Sequence, residues 1–385
     1  MQFRFALFFF LMSVFSPATR AEVLPLFIGT YTQDATQGIG LAHFDTQTGE
    51  LKPITVAAPT PNPTFLALHP EGKFLYAVNE WGSVAGKNIG GISAFAIDEK
   101  QNLKPLNSVS AGGGLCHLSL DAKGKFLLAA AFSGGSVEIW AIKENGEIGE
   151  RRQFIQHAAE FGADDNLKKP RGHQFILSPD NRFAFAVDLG LDKIFVHYFD
   201  VPTGNLSLKV PAFAQVAQVA DGAGPRHLAF NADASFVYVI NELGNTINVF
   251  KHQGGTLENR QTISTLPADF KAESYTAEIA IHPNGKFLYG SNRRRDSLAI
   301  YQIDAADGTL KLVGEVMTEG RNPRHFVISP EGKWLLAANQ NDHSIIVFRV
   351  DENTGLLTKK SLIKDVPGEP VCLLFGKGST PFAAQ

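Results

Sequence analysis

One pattern recurs along this chain and leaves few folds open to it. "FLALHPEGKFLYAVNE" (65–80) returns as "HLSLDAKGKFLLAAAF" (117–132), "QFILSPDNRFAFAVDL" (174–189) and "HLAFNADASFVYVINE" (227–242). Two more copies follow, "EIAIHPNGKFLYGSNR" (278–293) and "HFVISPEGKWLLAANQ" (325–340). Each copy is an apolar strand, a polar turn and a second apolar strand, which is a β-hairpin in sequence form. Successive copies start 52, 57, 53, 51 and 47 residues apart. A third strand follows each hairpin, as in "ISAFAID" (92–98) or "SIIVFRVD" (344–351), and a weaker fourth stands behind a turn such as "TGLLTKK" (354–360). Four antiparallel strands repeated at this period predict a β-propeller. No apolar segment keeps a helical period of 3.6, so the fold class is all-β.

The chain ends complete the count. "PVCLLF" (370–375) is a first strand with no sequence neighbour to pair with. "LPLFIGTY" (24–31), "GIGLAHFD" (38–45) and "LKPITV" (51–56) read as second, third and fourth strands that lack a first. Joining them in one blade gives a seven-bladed propeller of four-stranded antiparallel blades, its ring closed by N- and C-terminal strands and free of open sheet edges.

In a propeller the first strand of each blade lines the central channel, and in a hairpin its start lies beside the end of the second strand. The residues that open strand one and close strand two therefore meet at one mouth. The openers are Thr64-Phe65, Cys116-His117, His173-Gln174, Arg226-His227, Ala277-Glu278, Arg324-His325 and Val371-Cys372. The closers are Asn79-Glu80, Ala131-Phe132, Asp188-Leu189, Asn241-Glu242, Asn292-Arg293, Asn339-Gln340 and Thr30-Tyr31. Two long loops, 157–172 and 266–277, belong to the same end, and loops over a polar mouth are where a rigid scaffold carries function.

Not every polar residue in these columns points to chemistry. The Asn that recurs at 79, 241, 292 and 339 reads as a backbone tie, and the "HP/SP-x-G-K" turns with His69 and His282 are structural and lie at the opposite end. Residues that break the repeat are the better functional candidates: His173, Arg226, Glu242 and Arg293. His117, His227, His325, Arg324 and Gln340 are candidates for substrate binding. Arg294 and Arg295 read as solvated loop charges.

The sequence resembles the lactonase family of seven-bladed propellers, which includes propeller-type 6-phosphogluconolactonases and carboxymuconate-lactonizing enzymes. The resemblance covers essentially the whole chain after residue 21. It is carried by "FIGTYT" (27–32), "DLGLDKI" (188–194), "GPRH" (224–227) with "NEL" (241–243), "LYGSNR" (288–293) and "PRHFVISPEGKWLLAANQ" (323–340). It implies a hydrolase acting on a sugar lactone without metal or cofactor, with the family's active-site His, Arg, Glu and Arg falling on His173, Arg226, Glu242 and Arg293. Of the two candidate bases, histidine has the better-placed ordinary pKa, about 6.5. His173 is then the base and Glu242 orients water, while Arg226 and Arg293 stabilise the oxyanion. A binding propeller without chemistry, and a cycloisomerase whose arginines hold carboxylates, are the rival readings.

The N-terminus bears on the substrate. Arg4, the apolar run "FALFFFLMSVF" (5–15) and small residues Thr19 and Ala21 read as a secretory signal, 1–21, cleaved after Ala21. The mature chain, 22–385, then carries 33 Lys+Arg against 38 Asp+Glu, a net charge of −5. That balance does not suit a nucleic-acid binder. No other stretch is long enough to span a bilayer, and a periplasmic monomer is expected. An exported member of the family points to an unphosphorylated lactone such as glucono-1,5-lactone. Cys116 and Cys372 open the first strands of different blades, too far apart for the roughly 7 Å Cα separation a disulfide tolerates, and are expected to be free.

Overall fold

The computed structural model describes residues 23–81, 90–157, 169–206 and 215–377. The proposed signal segment and most of the 157–172 loop lie outside these residues. Seven antiparallel sheets are present. Their innermost strands are Leu66–Leu68, Leu115–Leu120, Gly172–Leu177, Pro225–Phe230, Tyr275–Ile281, Pro323–Ile328 and Glu369–Phe375. Each of these starts a blade, with later strands stacked outward in order. The protein is a seven-bladed propeller.

The ring closes as its two ends require. Glu369–Phe375 runs antiparallel to Val23–Tyr31, with Leu26 opposite Phe375 and Tyr31 opposite Glu369. Val23–Tyr31 then pairs with Gly38–Asp45. The outermost strand of this blade departs from the single segment the sequence suggests. It is split into Glu50–Leu51 and Thr55–Pro59, both paired with Gly38–Asp45. Pro53 sits in the gap, where it has no N–H to give to a ladder.

The core lies between blades. Seven apolar clusters form, and each draws its buried residues from two neighbouring sheets. One such layer packs Tyr76, Val78 and Ile92 of one blade on Leu118, Leu127 and Ala129 of the next. Alternation along the strands sends one set of side chains to each neighbour, so both faces of every blade are used.

A repeated tie fixes blade to blade. The buried hydroxyls of Tyr76, Tyr238 and Tyr289 donate to the carbonyls of Gly146, Gly308 and Gly355, each in a turn of the following blade. Gly146 has φ +83°, and a Cβ there would stand 2.2 Å from the Phe74 ring. At the junction with the closing blade Trp334 takes the tyrosine's place, donating from Nε1 to the Thr46 carbonyl at 2.8 Å.

His69 and His282 behave as the turn residues their motif suggests, bonding the Gly124 and Gly332 carbonyls of the next blade through Nε2. The recurrent Asn side chains tie loops: Asn292 and Asn339 donate to the carbonyls of Thr265 and Thr318. Cys116 and Cys372 are both free and buried.

Truncation before Glu369 should remove the inner strand of the closing blade and expose the edge of Val23–Tyr31. The expected result is aggregation or a melting transition many degrees lower. An unchanged melting curve would show that the ring does not depend on this strand.

Candidate active site at the channel mouth

Six inner strands carry an extra residue at their start. Pro225 pairs with Asn241 and His227 with Ile240, which leaves Arg226 bulged. By the same count Cys116, His173, Arg324 and Val371 are bulged in their blades, and Ala277–Glu278 face Ser291 alone. The seventh blade matches, since Val78 N bonds Phe65 O and Glu80 N bonds Asn62 O. A regular strand would send consecutive side chains to opposite faces. The bulge re-aims one of them, so that Arg226 with His227, Arg324 with His325 and Thr64 with Phe65 line the same pocket. Its void is about 280 Å³ with the open mouth included, and Glu80, Cys116, His173, Glu278 and Val371 complete the wall.

Charge is arranged in two groups. In the first, Glu242 Oε2 accepts from Arg226 Nε at 3.0 Å and lies 2.9 Å from Arg293 Nη2. Arg226 also donates to the Ala277 carbonyl, and Arg293 to that of Thr276. Burial alone would raise the Glu242 pKa, but Arg293, Arg226 and Arg324 together hold it below the usual carboxylate value. The arginines feel the opposite strain: burial pushes Arg293 down to about 10, partly offset by Glu242. Among the described residues, Glu242 Oε1 accepts no hydrogen bond and is left for water.

The second group contains Tyr31, Glu80 and Arg324. Tyr31 Oη donates to Glu80 Oε2 at 2.6 Å. The Arg324 guanidinium lies over the Tyr31 ring, 5.7 Å from its centre. Unlike Arg226 and Arg293, Arg324 has no ion pair or side-chain hydrogen bond among the described residues. Burial works against its charge, and Tyr31, Glu80 and Glu242 more than offset that.

Below these groups the channel is floored by neutral rings. Phe65 packs on His117 at 4.4 Å and edge-on to His227 and His325 at 6.0 and 5.9 Å. Glu278 Oε2 lies 3.0 Å from His227 Nδ1 and 3.4 Å from His325 Nε2. His325 Nδ1 accepts from the Leu373 amide, which leaves its Nε2 to carry the proton. His173 lines the pocket 5.1 Å from the His227 ring, its Nδ1 3.9 Å from Cys116 Sγ. Burial, with Arg226 and His227 nearby, keeps His173 well below the ordinary histidine pKa, so it is neutral near pH 7.

The structure therefore gathers Arg226, Glu242 and Arg293 into one bonded cluster; Arg226 and His173 line the pocket, whereas Glu242 and Arg293 are not among its lining residues. Arg324, His227 and His325 line the wall, and His117 forms part of the floor. Gln340 is not on the pocket wall. It donates to Glu369 Oε2 at 2.9 Å and tethers the start of the closing strand. Tyr31, Glu80, Glu278 and Phe65 belong to the site although the repeat did not single them out. All four stand in the opener and closer columns, and Glu80 occupies the same closing position as Glu242. Among the described residues no three His, Cys, Asp or Glu side chains are grouped to hold a metal ion.

A closed propeller whose mouth presents arginines, glutamates and neutral histidines to a small pocket is built as an enzyme for a small polar molecule. The chain belongs to the lactonase family: the model described as "Lactonase, 7-bladed beta-propeller" matches residues 25–375. It is 31% identical over 353 residues to a Bacillus subtilis 6-phosphogluconolactonase, covering 91% of this chain and 97% of that one. Two solved structures are also similar. A putative 6-phosphogluconolactonase from Bacteroides fragilis is 35% identical with a TM-score of 0.82, covering 94% of this chain and all of that one. The Pseudomonas aeruginosa periplasmic gluconolactonase is 31% identical with a TM-score of 0.83, covering 92% and 99%.

Two stability effects follow from this electrostatic arrangement. Glu242→Gln leaves Arg226, only 4% exposed, beside Arg293 without their shared carboxylate. Removing one partner of a buried pair costs about 3–5 kcal/mol, so the melting temperature should fall by several degrees. The second effect is pH dependence. His117, His173, His227 and His325 all have lowered pKa values, chiefly through burial, His325 to about 4. Between about pH 6.5 and 4 the unfolded chain binds protons that the folded chain refuses, so stability drops as pH falls. Glu278, raised by burial, acts in the opposite sense and offsets part of this. Melting curves from pH 7 to 5 should slope downward with acid, and His325→Gln should flatten them.

Proposed function

We propose that the protein hydrolyses an unphosphorylated sugar 1,5-lactone, with glucono-1,5-lactone as the favoured substrate, to the aldonic acid. The observation that carries this reading is the state of the three guanidinium groups at the mouth. Arg226 and Arg293 are already bound to Glu242, and among the described residues Arg324 has no carboxylate partner. One unpaired guanidinium suits the single charge that develops on a lactone carbonyl. Among the described residues that line the pocket, a phosphate dianion would meet that guanidinium together with the carboxylate of Glu80. The Bacteroides and Bacillus relatives are named for the phosphorylated substrate and the Pseudomonas structure for the unphosphorylated one. The charge pattern favours the latter. Residues 1–21, read as a signal peptide, fit the same side, and we propose export to the periplasm as a monomer.

In this mechanism the lactone carbonyl oxygen lies against Arg324, whose donors strengthen their hold as the oxygen becomes an alkoxide. With its proton on Nδ1, His173 presents the Nε2 lone pair to the pocket. Nε2 takes a proton from water as the water oxygen bonds to the carbonyl carbon. Glu242 Oε1 accepts the other water hydrogen and fixes the angle of attack. As the intermediate collapses, the bond to the ring oxygen breaks and His173 returns its proton to that oxygen.

The test is a lactone panel assayed by pH-stat against the uncatalysed rate, with glucono-1,5-lactone and its 6-phosphate side by side. Arg324→Met should lower kcat/KM about a hundredfold, the usual cost of an oxyanion donor. His173→Ala and Arg293→Ala should each cost at least roughly tenfold, about 1.4 kcal/mol. The acid limb of the rate profile should lie below pH 6.5, because the pKa of His173 is depressed and its base form survives there. His69→Ala, at the far end of the channel, should lower stability and spare the rate. Hydrolysis of no sugar lactone above background would reject the reading.

A further inference from the structure

The mouth holds a carboxylate that the mechanism above does not use. Glu80 closes the second strand of its blade, is 8% exposed and lines the pocket. Glu242, the glutamate at the same closing position of another blade, is neutralised by two arginines. Glu80 has one partner among the described residues, the Tyr31 hydroxyl on Oε2, and its Oε1 is not hydrogen-bonded. A hydroxyl donor steadies a carboxylate without cancelling its charge. Arg324 is held over the Tyr31 ring rather than against the Glu80 oxygens. The wall therefore presents a fixed negative charge with an open acceptor oxygen, beside an unpaired guanidinium.

We propose that Glu80 sets substrate specificity, accepting a hydrogen bond from a ring hydroxyl of a neutral sugar lactone and repelling lactones that carry a phosphate or carboxylate. This rests on the lactonase reading above and names the residue that discriminates within it. The position of Glu80 supports it. Glu80 and Arg324 line the same pocket, and Glu80 is almost wholly buried. An anionic substituent turned toward this wall would meet a like charge in a setting where little water screens it. A hydroxyl in the same place gains a charge-assisted bond. Tyr31 is the positioning residue: its hydroxyl holds Glu80 through Oε2 and leaves Oε1 free to accept, and its ring lies under Arg324.

The experiment compares kcat/KM for glucono-1,5-lactone and 6-phosphogluconolactone in wild type, Glu80→Gln and Tyr31→Phe. Glutamine keeps the shape and can still accept from Tyr31, but removes the charge. Glu80→Gln should raise the phosphorylated-to-neutral ratio at least roughly tenfold, mostly through a lower KM for the phosphorylated lactone. Tyr31→Phe keeps both the carboxylate and the ring under Arg324, so it should leave the ratio within about threefold of wild type while raising KM for the neutral lactone. A second measurement needs no variant. Gluconate and 6-phosphogluconate are compared as inhibitors of the wild type, and the phosphorylated acid should bind no more tightly.

A wild-type enzyme that hydrolyses glucono-1,5-lactone, with a ratio unmoved by Glu80→Gln, would overturn the role of Glu80 and leave the lactonase reading in place. Tighter inhibition by 6-phosphogluconate, by tenfold or more, would also overturn it. A wild type inert toward both lactones would remove the reading and the inference together.

Discussion

Pairing of Glu369–Phe375 with Val23–Tyr31 is the constraint on which the remaining structure depends. Each apolar cluster is shared by two sheets, so no blade can bury both faces unless its neighbours on both sides are present. An open row of seven sheets would expose two such faces and two strand edges. Closure across a sequence separation of more than three hundred residues removes both. It also brings seven strand starts round one axis, which is why residues from 64 to 371 share a pocket.

That repetition made the fold legible in advance. Six hairpins and two unpaired ends specified the blade number, the shared closing blade and the strand order from the sequence. The outer edge was less legible. A strand on the rim has one neighbour and a weak pattern, and Pro53 breaks it where the sequence reads as continuous. Within the site, the columns correctly located Arg226, Glu242 and Arg293 as neighbours because hairpin geometry places openers beside closers. They could not show why both openers of a blade face inward, since alternation places Arg226 and His227 on opposite faces. The recurrent bulge reconciles the two, and it has no composition of its own: Cys116, His173, Arg226, Arg324 and Val371 occupy it in different blades. Gln340 shows the limit of reading by column. It starts a 3-10 turn, Gln340–Asp342, instead of continuing the strand, and so its amide reaches Glu369.

Placing three arginines and three glutamates at the end of a channel is costly unless their charges are matched. The structure matches them unequally. Arg226 and Arg293 share Glu242, and Glu278 is taken by His227 and His325. Among the described residues, Arg324 and Glu80 are left with Tyr31 between them. Four histidines with depressed pKa values complete the lining without adding charge. The region thus combines a rigid, neutralised half with a half whose charges are available to a ligand, and perturbed groups of this kind concentrate where chemistry is done.

The same electrostatics decide between water and a covalent nucleophile. Cys116 is in the pocket wall with its sulfur near His173, an arrangement that elsewhere activates a thiol. Here burial and the charge of Glu80 push the thiol pKa up, against Arg226 and Arg324, so the thiolate is not formed near neutral pH. Its sulfur instead faces the carbonyls of Ala130, Gly172 and His173. Burial also lowers the basicity of His173, which disfavours transfer of the thiol proton to it and so the thiolate–imidazolium pair. What the pocket offers is a neutral base, an unpaired guanidinium and an open carboxylate oxygen. In the proposed hydrolysis of a lactone this set fits direct attack by a bound water better than attack by the Cys116 thiol.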